Sequence, residues 1–133
     1  MIEEIEKVTR PWGSYRNIFV SDNYKVKIIT VHPGQRLSLQ KHMQRSEHWY
    51  IVSGFGEMQL QGKFYQMYTG DSIDIPEEHE HRIENTTKRP LIFVEVQMGI
   101  CDESDIIRLE DDYGRVEPLA DRGPHSGFYR EYG

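Results

Sequence analysis

Between Tyr24 and Gln97 the chain is a succession of short β-prone runs, each ended by a turn signal within a few residues. That punctuation leaves few helical patterns and points to an all-β sandwich or barrel. Tyr24 to Val31 is rich in β-branched residues and stops at Pro33-Gly34. Leu37 to His42 alternates after that turn, and Glu47 to Val52 is closed by Ser53-Gly54 and Gly56. Glu57 to Leu60 and Phe64 to Tyr68 flank Gln61-Gly62-Lys63, which reads as a hairpin. Ser72 to Ile75 ends at Pro76, and His81 to Glu84 and Leu91 to Gln97 complete the set. One domain is expected, with its barrel core over residues 14–98. Residues 102–133 read as an extended arm, in which Asp102 to Arg108 forms one helical turn and Phe128, Tyr129 and Tyr132 supply surface to bury.

Charge and cysteine content narrow the function classes. Twenty-two acidic residues against 16 basic ones leave a net charge of −6, which argues against a nucleic-acid groove. No apolar run approaches the roughly 20 residues of a membrane span. Met1 to Arg10 is charged and has no signal-peptide core. The single cysteine, Cys101, rules out an internal disulfide and offers no thiolate metal site. The expected compartment is the cytoplasm. A barrel this small has strand edges to protect, so a homodimer is expected.

Four residues have the chemistry and spacing of metal ligands. Gln40 and His42 are two apart, so in a strand both leave the same face. Glu47 opens the next apolar run, and His81 follows Pro76 in a later segment. Two imidazoles, a carboxylate and an amide oxygen suit one divalent ion such as Zn, Fe, Mn, Co or Ni, with Zn the first choice.

The glycines around these residues carry a resemblance. Gly34, Gln40, His42, Glu47 and Gly54 read as G-x5-Q-x-H-x4-E-x6-G, and Gly70, Pro76, His81 and Asn85 as G-x5-P-x4-H-x3-N. Together they resemble the two motifs of the cupin superfamily, which implies a double-stranded β-helix, or jelly-roll barrel. Gln40 stands where most cupins have a first histidine, and Glu78 where they usually have glycine. Arg10-Pro11-Trp12-Gly13-Ser14-Tyr15, Leu37-Ser38-Leu39-Gln40, Arg45-Ser46-Glu47-His48-Trp49, His81-Arg82-Ile83-Glu84-Asn85, Glu95-Val96-Gln97 and Asp111-Asp112-Tyr113-Gly114-Arg115 narrow it. They look like the C-terminal isomerase domain of type II phosphomannose isomerases, often fused to a mannose-1-phosphate guanylyltransferase and here read as a stand-alone domain. A glutamine ligand agrees with that family's pattern. His42-Met43-Gln44 departs from its usual histidine cluster.

The resemblance implies that mannose 6-phosphate and fructose 6-phosphate are interconverted through an enediolate. A divalent ion at Gln40, His42, Glu47 and His81 would stabilise that charge as a Lewis acid. Arg82 resembles the family's functional arginine and is a candidate for catalysis and for binding enediolate or phosphate oxygens. Because it follows His81 directly, it reaches the ligand only if the chain bends there. Lys41 and Arg45 are further phosphate candidates. Glu95 and Gln97 share one strand face, so Glu95 is a candidate proton-transferring base and Gln97 a substrate contact. His48 is the other candidate base, although strand alternation places it opposite Glu47 with Tyr50 and Val52.

Plainer readings stand beside these. Lys41 and Arg45 are also ordinary turn charges, and Arg82 an ordinary ion-pair partner. Trp12 and Trp49 read as core aromatics. Asp111, Asp112 and Arg115 read equally as a salt-bridge clasp. A sugar-phosphate isomerase leads, with a non-catalytic sugar- or sugar-phosphate-binding cupin as the alternative. An iron-dependent cupin oxygenase is a weaker one, because oxygen-activating cupins more often carry a histidine-rich set.

Overall fold

The computed structural model describes residues 5–116. Eleven strands are formed: β1 (Val8–Arg10), β2 (Gly13–Val20), β3 (Tyr24–Val31), β4 (Leu39–Lys41), β5 (Arg45–Ser53), β6 (Gly56–Leu60), β7 (Lys63–Met67), β8 (Ser72–Ile75), β9 (His81–Glu84), β10 (Leu91–Gly99) and β11 (Ile107–Glu110). They make two antiparallel sheets, in the orders β1-β2-β3-β10-β5-β8 and β11-β4-β9-β6-β7. The strands expected from Tyr24 onward are present. Strands also lie beyond the expected 14–98 interval, because β1 starts at Val8 and β11 covers Ile107–Glu110. The helical turn expected over Asp102 to Arg108 is not formed. Ile107 and Arg108 instead pair with Lys41 and Gln40, since a strand there satisfies the otherwise open edge of β4. Of the arm, residues 117–133 lie outside the described residues.

Turn chemistry sets the registers. Leu60 pairs with Lys63, so Gln61 and Gly62 form a two-residue turn, both with positive φ (50° and 78°), as the twist of a tight hairpin requires. Gly54 has φ 90°, and a Cβ there would lie 2.5 Å from the carbonyl oxygen of Pro90, so this motif glycine permits a close backbone approach.

Alternation divides the barrel interior into two ends. Trp12, Val31, Leu37, Trp49, Ile51, Met58, Ile83, Leu91 and Phe93 pack into one apolar core, with Trp49 stacked on Phe93 at 4.4 Å. Both tryptophans are therefore core residues, as their sequence context indicates. Further along the same inward faces the residues become charged or polar: Lys25 and Lys27 on β3, Arg45 and Glu47 on β5, Glu95 and Gln97 on β10, all buried. The ladders place Glu95 opposite Lys27 and Trp49, and Gln97 opposite Lys25 and Glu47. No helix among the described residues is long and apolar enough to cross a membrane.

Candidate metal centre

The polar end of the barrel gathers three of the four expected ligands from both sheets. His42, Glu47 and His81 are buried, and one donor atom of each lies within 4.8 Å of the other two. His42 Nε2 is 3.2 Å from Glu47 Oε2, and His81 Nε2 is 3.9 Å from Glu47 Oε1. Gln40, expected as the fourth ligand, sits directly across the ladder from His81 and is buried. Its amide nitrogen donates to Ser38 Oγ at 3.0 Å, which fixes the side chain.

The histidines are held in a ligating form. His42 Nδ1 lies 2.7 Å from the Asp105 carbonyl, and His81 Nδ1 lies 2.9 Å from that of His79. A carbonyl only accepts, so each Nδ1 carries the proton and each Nε2 presents its lone pair to the centre. Burial lowers the pKa of both, His42 to about 4, with the Glu47 charge opposing the shift. Burial pushes the Glu47 carboxyl upward, but its coupling to His42, Arg45 and His81, with the Arg45 guanidinium both charged and hydrogen-bonded to it, outweighs burial and holds the group well below the usual carboxylate range. The donor set is thus two neutral imidazoles and a carboxylate. His81 Nε2, fully buried, has no hydrogen-bond partner, an expense that a bound ion would remove. These residues fit a divalent metal.

Arg45 and Glu95 complete the polar end. Arg45 Nε donates to Glu47 Oε2 at 2.8 Å, Nη2 reaches His42 Nε2 at 3.3 Å, and Nη1 donates to the Asp102 carbonyl. Trp49 Nε1 donates to the other Glu47 oxygen at 2.9 Å. Burial and the Glu47 charge raise the pKa of Glu95 to about 8, against the pull of Lys27 and Arg45. Gln97 Nε2 donates to Glu95 Oε1 at 2.6 Å.

The remaining candidates lie elsewhere. Arg82 falls on the outer face of β9, because that strand pairs in regular register with β6 and makes no bend. Its guanidinium donates to the Leu37 carbonyl and to Glu110. His48 is half-buried on the face opposite Glu47, 2.6 Å from Asp74. Lys41 alternates with the inward Gln40 and His42 and so leaves the opposite face of its strand. Asp111 and Arg115 form a clasp, and Asp112 pairs with Arg36. Not foreseen were Lys25, Lys27 and Glu103, which meet at the mouth of the same interior.

This two-sheet barrel with a His–Glu–His cluster at one end is a cupin. Solved structures agree on the fold: a capsular polysaccharide assembling protein, CapF, from Staphylococcus aureus superposes with a TM-score of 0.72 at 21% identity, over 81% of this chain and 35% of that one. An RmlC-like cupin from Shewanella frigidimarina superposes at 0.69 with 17% identity, over 74% and 87%. Within the cupins, the family model described as "Mannose-6-phosphate isomerase C-terminal" matches residues 1–111, and the chain belongs to that family. Mannose-1-phosphate guanylyltransferase ManC of Salmonella typhimurium is 43% identical over 111 residues, which are 83% of this chain and 23% of that protein. Alginate biosynthesis protein AlgA of Pseudomonas aeruginosa is 46% identical over the same shares. The chain spans about a quarter of the length of these curated relatives.

Proposed function

We propose that this domain is a metal-dependent aldose–ketose isomerase interconverting mannose 6-phosphate and fructose 6-phosphate. The observation that carries the reading is Glu95, a buried carboxyl whose pKa of about 8 lies near working pH, beside a three-residue metal cluster. In this reading His42, Glu47 and His81 hold the ion, with Gln40 as the fourth ligand. A bound divalent ion would supply Lewis-acid stabilisation of the negative charge that develops on the sugar oxygens at C1 and C2.

The protein's own residues do the rest. Ionised Glu95 removes the proton from C2 of the aldose and the same carboxyl returns it to C1 of the enediolate, while the hydroxyl proton passes from O2 to O1. Arg45, always charged, lies between the cluster and the cavity and offsets the charge of that intermediate. Gln97 fixes the Glu95 carboxyl through their hydrogen bond. Trp49 and Phe93 close the apolar side and exclude water. Zinc is the proposed ion, the cytoplasm the proposed compartment, and a homodimer the proposed assembly, checked by metal analysis and light scattering.

The test is an assay of fructose 6-phosphate formed from mannose 6-phosphate by metal-loaded protein, wild type against Glu95→Gln. The expected loss is about 100-fold or more, from the lower end of the range for a positioned acid–base upward. Metal binding without turnover in the wild type would refute the reading. A non-catalytic sugar-phosphate-binding cupin is the second reading. It is favoured by His42-Met43-Gln44, which departs from the histidine cluster usual in the isomerase family.

A further inference from the structure

Lys25 and Lys27 stand two apart on β3 and project into the barrel, only 4% and 3% exposed. Both ammonium groups are met by one oxygen of one carboxylate: Glu103 Oε1 lies 2.8 Å from Lys25 Nζ and 2.9 Å from Lys27 Nζ. A single negative charge therefore serves two buried positive ones. Glu47 is engaged by Arg45, while Asp102 and Glu95 act on the two lysines through charge without a direct ion pair to either. Lys27 rests over the Tyr15 ring at 4.2 Å, which keeps its head fixed without adding a charge. Two buried ammonium groups thus share a single carboxylate oxygen inside a chain that is acidic overall.

Glu103 is not part of a strand. It belongs to the segment 100–106, which crosses the mouth between β10 and β11 and is tied down by polar contacts. Asp105 accepts from the backbone N–H groups of Met43 and Gln44 at 2.9 Å, and Ile106 is buried beneath. The enclosed cavity, which Lys27, Glu103, Arg45 and Glu95 line, measures about 20 Å³. That holds a water molecule or so, whereas small-molecule pockets run to roughly 300 Å³ and more. A sugar phosphate enters only if this strap moves.

We propose that Lys25 and Lys27 are the phosphate anchor of the pocket, and that Glu103 is a built-in competitor occupying the phosphate's place, so that a sugar phosphate binds by displacing the strap. The proposal rests on the reading that the domain takes a sugar phosphate. A phosphate dianion matches the two ammonium groups in charge, and its separate oxygens accept from each lysine, where Glu103 shares one. The displaced Glu103 carboxylate gains full hydration in exchange.

Calorimetric titration with inorganic phosphate, and separately with mannose 6-phosphate, tests this on the full chain. Glu103→Gln should bind both about tenfold more tightly, and Lys27→Met and Lys25→Met each about tenfold more weakly, the scale of one charge-assisted contact. Lys27→Arg, which keeps the charge, should retain most of the affinity. If Glu103→Gln merely lowers the melting temperature and leaves phosphate affinity unchanged, Glu103 is a structural latch and the proposal fails. Equal affinities in wild type and Lys27→Met would also overturn it. If a lysine variant does not fold, the comparison of wild type, Glu103→Gln and Lys27→Arg decides. The measurement needs no turnover. Lysine-dependent binding without isomerisation would remove the isomerase reading and keep the anchor. Turnover with an unchanged KM in the lysine variants would do the reverse.

Discussion

Glu47 Oε1 and His81 Nε2 stand 3.9 Å apart although their strands lie in different sheets, β5 in one and β9 in the other. The cluster therefore exists only when the barrel is closed. An ion held there binds the folded state alone and stabilises it by mass action. We expect the melting temperature to rise with added Zn²⁺ at one equivalent, and to fall back on chelation. His81→Ala should abolish that rise. A variant that kept the full metal-dependent gain would exclude His81 as a ligand.

Glu95 makes a pH signature in the metal-free protein. Its pKa is about 8 folded, against an ordinary value of 4.5. Between these values the folded state keeps a proton that the unfolded chain has released. By linkage, stability falls as pH rises through that window and is unaffected by this group outside it. Glu95→Gln lacks the titration. Urea midpoints at about pH 5 and about pH 8.5 should fall more for wild type than for the variant. Parallel behaviour of the two would show that Glu95 is ionised in the folded protein.

Glu78 occupies a left-handed backbone conformation, with φ 67°, while its N–H donates to the His42 carbonyl at 2.8 Å. A residue with a Cβ is strained there, and glycine is not. Glu78→Gly should stabilise the protein by about 1 kcal/mol in urea unfolding, with the loop geometry retained. A loss of stability would mean that the Glu78 side chain makes a contact worth more than the strain.

Asn85, a motif residue, acts as a bracket rather than a ligand. Its amide nitrogen donates to the carbonyls of Val31 and Arg89, and its oxygen accepts from Thr87 N and Oγ. The residue is wholly buried. Asn85→Ala leaves those groups unpaired and should cost about 2 kcal/mol or more. Zn²⁺ titration of the folded variant should give the wild-type stoichiometry, and a lost equivalent would place Asn85 in the metal site.

Local patterns carried much of this architecture. Glycine and proline punctuation located most strands, and Gln61-Gly62 located the hairpin, because turn geometry depends on adjacent residues alone. Period-two alternation put Glu95 with Gln97, and set His48 apart from Glu47. Arg82 shows where motif adjacency misleads: it neighbours His81 in sequence, but a straight strand turns it to the other side. The helical turn expected over Asp102 to Arg108 failed for a different reason. The acidic start and paired isoleucines are compatible with helix locally, and the open edge of β4 decided in favour of a strand.

The sequence by itself determined the residue types of the candidate metal cluster, the shared face of Gln40 and His42, and the turns that bring the strands back. Only the tertiary structure decided which faces are inside. In β3, Lys25 and Lys27 share a face with Ile29 and Val31, while Val26 and Ile28 share the other, so alternation alone leaves the lysines on either side. Packing of Ile29 and Val31 into the core carries the lysines inward, where Glu103 from a strap about 76 residues further on meets them. Hydrophobic periodicity is local, but the choice of buried face and the partner of a buried charge are properties of the closed barrel.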